Sequence, residues 1–280
     1  MRHRISLAAL ALLNLIFAST CSSRREPSEP VVARSAAVTL DFGACSKKRV
    51  EVSVGLDHSC ALLSDRTVEC WGDNGSGQVG TGAMSATPIT TPTAVAGLSD
   101  VALLSAGASH TCASLRNGAV YCWGRGIEGQ HGTGTSAVDS AVPRQVADLS
   151  GPLALSSGVT GTCAVRKNGT VACWGQDPTP AGTAFTVAGL TNVTAVAVGQ
   201  EGACALKADH SVWCWNKTTA PARMQGLGNA TAIAMRAYTT CALIDDGTVW
   251  CWGKNDFGEL GLQAAVSPGP NPVPFSATPV

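Results

Sequence analysis

Residues 60–72 read CALLSDRTVECWG, residues 112–124 read CASLRNGAVYCWG and residues 241–253 read CALIDDGTVWCWG. Two further stretches share the frame, so the cysteine pairs are Cys60/Cys70, Cys112/Cys122, Cys163/Cys173, Cys204/Cys214 and Cys241/Cys251. Alanine follows each first cysteine, and tryptophan follows each second one, at Trp71, Trp123, Trp174, Trp215 and Trp252. Such self-similarity marks a repeat architecture. RNG, KNG and DDG sit midway and are turn signals, so each stretch reads as strand, turn, strand. The simplest turn leaves Gly118, Gly169 or Gly247 left-handed; Asp65-Arg66 and Asp209-His210 fill the same place without glycine. Counting outward from the turn, Ser114 faces Val120, Ala113 faces Tyr121 and Cys112 faces Cys122. Directly opposed cysteines have close Cβ atoms, so each pair is expected to staple its own hairpin as a disulfide. Zinc sites use much shorter cysteine spacings, and no metal site is expected.

Another strand precedes each hairpin, as in VEVSVGLDHSC, VALLSAGASHTC and VTAVAVGQEGAC. A short strand follows, in PTAVAGL, PRQVADL, FTVAGL and ARMQGL. Each unit thus holds four short strands, and one such sheet cannot bury both faces alone. Radial packing solves this, so the fold expected is all-β, a β-propeller of about five four-stranded blades. The stretch GASHTCASLRNGAVYCWGRGIEGQHGTG resembles the regulator of chromosome condensation repeat, and the resemblance covers about residues 50–262. It implies a protein-binding propeller, usually of seven blades; one relative binds a small GTPase and chromatin, and a secreted bacterial one inhibits β-lactamases. The cysteine-bearing form looks like that of exported bacterial proteins.

This chain departs from that pattern. It has five hairpins, and the spacing between successive units shrinks along the chain. The third and fourth units lack the glycine-glutamine loop and run from CWGQDPTP and CWNKTTAP directly to the outer strand. Only His58 and His110 keep the family histidine, which Gly161, Gly202 and Thr239 replace. An incomplete or irregular ring is therefore the alternative to a closed one. Residues 36–42, AAVTLDF, and the C-terminal NPVPFSATPV both compete to supply the outer strand of the last blade.

Composition narrows the class. Charged residues are 14% of 280, against about 25% in an average globular protein, and the 19 basic residues cancel the 19 acidic ones. No basic face points to nucleic acid. Arg2, His3 and Arg4 precede an apolar run from Leu7 to Ala18, which suits a signal peptide and is too short for a membrane span. The expected organisation is a signal peptide at 1–20, a flexible tether at 21–35 and the propeller at 36–280. Cys21 is the candidate lipidation site, so the membrane is expected only through a lipid anchor. Cys45 is then left without a hairpin partner. The expected location is exported, in a bacterial cell envelope or secreted.

No catalytic constellation stands out, and no cofactor is expected. Carboxylates form no repeated pair, and His58 and His110 read as structural. GSGQVGTG lacks the lysine and spacing of a phosphate loop. Trp213 and Trp250 flank the fourth and fifth second cysteines and form a candidate aromatic binding patch. The function expected is a non-catalytic, monomeric exported propeller that grips an unidentified protein through loops on one face. Guanine-nucleotide exchange, by family analogy, and carbohydrate binding or hydrolysis are the alternatives. The loops at 73–92 and 125–143 are the longest, and shortening either to the third unit's length is expected to leave the fold intact.

Overall fold

The computed structural model describes residues 49–134, 138–175, 182–261 and 273–274. The predicted signal peptide, tether, Cys21, Cys45 and the 36–42 segment lie outside the described residues. Among the described residues, twenty strands form five antiparallel sheets of four, each running in chain order from its first strand to its last. Blade 1 holds β1 (Arg49–Val54), β2 (His58–Leu63), β3 (Val68–Asn74) and β4 (Ser85–Ala94). Blade 2 holds β5 (Val101–Ala106), β6 (His110–Leu115), β7 (Ala119–Gly124) and β8 (Ser140–Ser150). Blade 3 holds β9 (Ala154–Ser157), β10 (Gly161–Val165), β11 (Val171–Gly175) and β12 (Phe185–Thr186). Blade 4 holds β13 (Val193–Val198), β14 (Gly202–Lys207), β15 (Val212–Asn216) and β16 (Thr219–Arg223). Blade 5 holds β17 (Ala230–Arg236), β18 (Thr239–Ile244), β19 (Val249–Gly253) and β20 (Val273–Pro274). The C-terminal segment thus supplies the last outer strand, with Val273 opposite Cys251.

Each central hairpin has the register read from its turn. Cys112 lies opposite Cys122 and Ala113 opposite Tyr121. Cys60 likewise opposes Cys70, Cys163 opposes Cys173, Cys204 opposes Cys214 and Cys241 opposes Cys251. The sulfur atoms of the pairs stand 2.05 to 2.15 Å apart. The five pairs are not equally covered: Cys241 is half-buried among the first cysteines and Cys214 among the second. Cys70, Cys122, Cys173 and Cys251 are buried. The reason at Cys214 is the connection that follows it. β15 passes to β16 through Lys217 and Thr218 alone, so no loop folds back over the Cys214 side of the sheet. The ladder between those two strands also slips just after Cys214.

Gly118, Gly169 and Gly247 take positive φ. Arg66 and His210 take it without glycine, at 67° and 64°, which costs each turn about 1 kcal/mol of backbone strain.

The cores lie between blades rather than within them. The first strand of each later blade packs on the first two strands of the blade before it or beside them. Four clusters result. Leu62, Val79, Leu104 and Trp123 join blades 1 and 2. Val146, Leu149 and Trp174 join blades 2 and 3. Val171, Leu190 and Val196 join blades 3 and 4, and Leu206, Ile244 and Trp252 join blades 4 and 5.

Polar contacts follow the same seams. The turns after the first strands form a backbone collar: Leu56 N donates to Ala108 O (3.1 Å) and Ala108 N to Gly158 O (3.0 Å). Val159 N then donates to Gly199 O (3.1 Å) and Gln200 N to Ala237 O (2.8 Å). Just before these turns, the hydroxyls of Ser53, Ser105 and Ser156 accept from the backbone N–H of Ala106, Ser157 and Val198 in the next blade. At the same register Ala197 and Ala234 offer no side-chain acceptor.

The fifth seam, from blade 5 back to blade 1, is built differently. The guanidinium of Arg236 donates to Gly55 O (2.9 Å) and Val54 O (3.4 Å). Val52 and Val54 occupy the register of Leu104 and Ala106, which are buried. Yet Val52 is 65% and Val54 60% exposed, because no blade packs over that face of β1 among the described residues. The assembly is therefore an irregular ring: four packed seams and, among the described residues, one held by a single side chain.

Candidate functional site

One end of the propeller gathers the collar turns and the loops that follow the third strands. Backbone bonds hold the two together: Asp73 N to Asp57 O, Arg125 N to Ser109 O, and Lys254 N to Tyr238 O. The loops at 72–80, 124–132 and 253–261 share one design. Their glycines at 77, 80, 129, 132, 258 and 261 take positive φ, so the chain can fold tightly enough to enter a seam. Asn74 and Asn255 pin the fold by accepting from Val79 N (3.1 Å) and Leu260 N (2.9 Å).

Blades 1 and 2 use these loops as plugs. Gln78 and Gln130 are buried although they are loop residues. The carbonyl of Gln78 accepts from the indole of Trp123 (2.9 Å) and the hydroxyl of Thr111 (3.1 Å), both in blade 2. The carbonyl of Gln130 accepts from the indole of Trp174 in blade 3 (2.9 Å). The amide side chains turn back on their own loops, Gln78 onto Asp73 (2.6 Å) and Gln130 onto Glu128. Arg125 also binds Glu128 (2.6 Å), which holds that carboxyl below its usual range. This corrects the expectation that the loops at 73–92 and 125–143 could be shortened freely. Their first parts fill the interblade cores, and removal would strand Trp123 or Trp174 without an acceptor.

The histidines belong to the same seams. His58 Nε2 lies 2.8 Å from Thr111 Oγ1, and His110 Nε2 lies 2.9 Å from Thr162 Oγ1, each across to the next blade. Because Thr111 gives its proton to Gln78 O, His58 must donate from Nε2. Burial pushes His58 down to about 4 and His110 down to about 3, so both are neutral bridges at pH 7. His131 is also buried and its Nε2 lies 3.0 Å from Gly124 O. No group of three or more His, Cys, Asp or Glu side chains that could hold a metal occurs among the described residues.

Trp213 and Trp250 are brought into two separate cores, not into one patch. Trp213 packs with the cluster between blades 3 and 4, and its indole donates to Ser211 (3.0 Å). Trp250 packs with the cluster between blades 4 and 5, and its indole donates to Thr248 (3.2 Å). Each ring is therefore engaged within its own seam. The exposed apolar groups lie elsewhere. Leu56, Met84, Ile127, Val138 and Phe257, the last 94% exposed, sit on the collar turns or in the loops, while Val50, Val52, Val54, Val142 and Leu153 are exposed on strands or between blades 2 and 3. The sequence held a signal for the plugs in its repeated GQ, but none for the five turn and loop residues, which share no register.

The sequence profiles of the regulator of chromosome condensation (RCC1) repeat match residues 50–78, 101–130 and 231–259 in one form, and 68–114, 117–165 and 246–279 in another. The chain belongs to this repeat family. The profiles skip most of the third and fourth units, whose sequences lack the glycine-glutamine motif. Human E3 ubiquitin-protein ligase HERC2 is 32% identical over 145 residues, 48% of this chain and 3% of that protein. The ultraviolet-B receptor UVR8 of Arabidopsis thaliana is 33% identical over 134 residues, 47% of this chain and 30% of the receptor. The chain thus spans a small part of the curated relatives it matches. Among solved structures, human WBSCR16 superposes with a TM-score of 0.72 at 22% identity, over 82% of this chain and 67% of that one. Prp20p from Saccharomyces cerevisiae gives 0.73 at 18%, over 83% and 64%. Both are similar to this RCC1-repeat propeller in fold.

Proposed function

We propose that this RCC1-repeat propeller is a non-catalytic, exported binding protein that grips another protein through the loop face. The observation that carries the reading is the placement of Leu56, Met84, Ile127, Val138 and Phe257. Exposed large apolar side chains gathered on one end mark interaction surfaces. The collar and plugs beneath them make a rigid support, which lowers the ordering cost of association. The yeast relative, described with its binding to Gsp1p and histones, supports protein binding as a use of this fold. Five cysteine pairs at bonding distance support an oxidising, extracytoplasmic setting. Attachment through a lipidated Cys21 belongs to the same reading. No helix among the described residues is long and apolar enough to cross a membrane.

The test is capture from an envelope extract by immobilised protein, compared with a Leu56→Lys, Ile127→Lys, Phe257→Lys variant. These side chains are exposed, so melting should be unchanged while capture falls at least tenfold, as expected when apolar anchors are lost. Equal capture by the variant would sink the reading.

A further inference from the structure

Five triplets of the form Asn-x-Ser/Thr occur in the chain, beginning at Asn74, Asn168, Asn192, Asn216 and Asn229. On the surface of an exported protein this triplet is an acceptor for an N-linked oligosaccharide. The fold sorts the five. Asn74 is fully buried: its Nδ2 donates to Ala83 O (2.8 Å) and its Oδ1 accepts from Val79 N (3.1 Å). A glycan there would keep the plug out of its seam. The other four asparagines are exposed. Asn168 Oδ1 accepts from the backbone N (3.1 Å) and the hydroxyl (2.7 Å) of Thr170, in its own triplet. Asn216 Oδ1 likewise accepts from the backbone N (2.9 Å) and the hydroxyl (3.0 Å) of Thr218. In both, Nδ2 makes no hydrogen bond among the described residues, and nor does the side chain of Asn192. Asn229 Nδ2 donates to Asp245 (3.0 Å), and a substituted amide keeps the one proton that this bond needs.

We propose that Asn168, Asn192, Asn216 and Asn229 are sites of N-linked glycosylation and that Asn74 is left bare. In the transfer, Nδ2 bonds to the anomeric carbon of an oligosaccharide carried on a polyprenyl diphosphate. The bond from that carbon to the diphosphate oxygen breaks, and the polyprenyl diphosphate leaves with the electron pair. A membrane oligosaccharyltransferase takes up the amide proton, and nothing is oxidised or reduced. The placement complements the loop face. Asn168 lies in the hairpin turn of blade 3, Asn192 just before β13 and Asn229 just before β17, all at the end away from the collar. Asn168 and Asn192 are neighbours there, since Val193 N donates to Gly169 O (3.0 Å). Asn216 is at the loop end but in blade 4, whereas Leu56, Met84, Ile127, Val138 and Phe257 belong to blades 1, 2 and 5. Glycans at the four sites cover parts of blades 3 to 5 and leave those apolar groups open. The proposal rests on the exported reading above, and assigns surface that the partner does not use.

The test uses the full chain purified from its native source. Peptide-N-glycosidase in ¹⁸O-water turns each glycosylated asparagine into a labelled aspartate, which peptide mass mapping locates. Label should appear at Asn168, Asn192, Asn216 and Asn229 and not at Asn74. A digest without the enzyme controls for spontaneous deamidation of Asn168-Gly169. Thr170→Ala, Thr194→Ala, Thr218→Ala and Thr231→Ala each remove the triplet's hydroxyl and should each lose the mass of one glycan. Thr170→Ser keeps the hydroxyl and should keep the glycan, which separates loss of the acceptor from a folding defect. Ser76→Ala should lose no glycan. Label at Asn74 would overturn the proposal, because burial would then not sort the sites, and a bare asparagine among the four strikes that site. The same digest reports the mature terminus and the cysteine oxidation state. A processed terminus with oxidised pairs and no label at any of the four would overturn this proposal and leave the exported reading standing. An unprocessed terminus with free thiols would sink both.

Discussion

At the scale of single residues, the seams are written in pairs that span two blades. His58 needs Thr111, and His110 needs Thr162. Where the chain drops the histidine, at Gly161, the next blade drops the threonine, at Ala203. A histidine left without its partner would bury an unsatisfied N–H, at about 1–3 kcal/mol, so Ala203 could not follow a histidine, whereas Thr240 is kept after Gly202 because a threonine alone can be satisfied otherwise. Both histidines have folded values below the ordinary 6.5, at about 4 and about 3. The folded state therefore binds fewer protons than the unfolded one below pH 6.5. Stability from this source is full above 6.5 and is lost as pH falls towards 4 and then 3. Glu51 acts in the opposite sense. Burial raises it to about 7 from 4.5, so its penalty sets in as pH rises from 4.5 to 7. Between pH 4.5 and 6.5 these two histidines, joined by His131, which burial also lowers, outweigh one carboxyl, and urea midpoints should drop on acidification across that window. A His58→Asn, His110→Asn variant should be less stable at pH 7.5 but should have a shallower slope, because buried His131, also held below its ordinary value, is left to oppose Glu51. An unchanged slope in that variant would show that other groups set the pH dependence.

At the scale of elements, the hairpins are self-contained and the loops are not. The register of each hairpin follows from its own turn, which is why Cys112 opposite Cys122 could be read from local sequence. Both sulfurs are buried, and the bridge closes a ring of about 11 residues, worth up to about 3 kcal/mol on the chain-entropy account. A Cys112→Ser, Cys122→Ser variant should lose that much in denaturant unfolding. Mass mapping without reduction should return all five pairs as local crosslinks; bridges between different hairpins would refute the stapled arrangement. Partial reduction should open the Cys204–Cys214 pair before the Cys112–Cys122 pair, because Cys214 is half-buried and a thiolate can reach it. The loops show where sequence reading stops. GSGQVGTG has the composition of a solvated turn, yet Gln78 and Val79 are buried because the next blade closes over them. Nothing within the loop records that. The partners Thr111 and Trp123 lie in another repeat, and only the packing of blades brings them in. The same blindness hid the two fates of Trp213 and Trp250. Their shared place beside the second cysteines suggested one aromatic patch, while the neighbouring blade decides what covers each.

At the scale of the whole molecule, the seams are built from different sets of contacts. Between blades 1 and 2 there is an apolar core, a plug, a histidine–threonine pair, a serine bond and a collar bond. The seam between blades 3 and 4 keeps the core, the serine bond and the collar bond. Between blades 4 and 5 the core and the collar bond remain, and at the other end Ala230 N donates to His210 O (3.0 Å) while His210 Nδ1 lies 3.0 Å from Ala230 O. At the fifth seam the collar bond itself is replaced by Arg236, which reaches two carbonyls of blade 1. Small differences in blade angle accumulate around a ring, so its closure could not be read from any one repeat. Among the described residues Arg236 is thus the single side chain on which closure rests, and its removal has a distinct signature. Arg236→Met keeps the aliphatic stem and deletes the donors. Two bonds from a charged donor to carbonyls, one of them exposed and long, should contribute about 1–2 kcal/mol. If blades 5 and 1 are held by this clamp alone, the variant should lose little in global unfolding but much in local protection. Amide exchange should accelerate in β1 and β17 at the open seam, while β5 and β9 stay as slow as before. Uniform acceleration across all five blades would instead mean that the fifth seam is part of one cooperative unit, and that the exposed face of β1 is covered in solution.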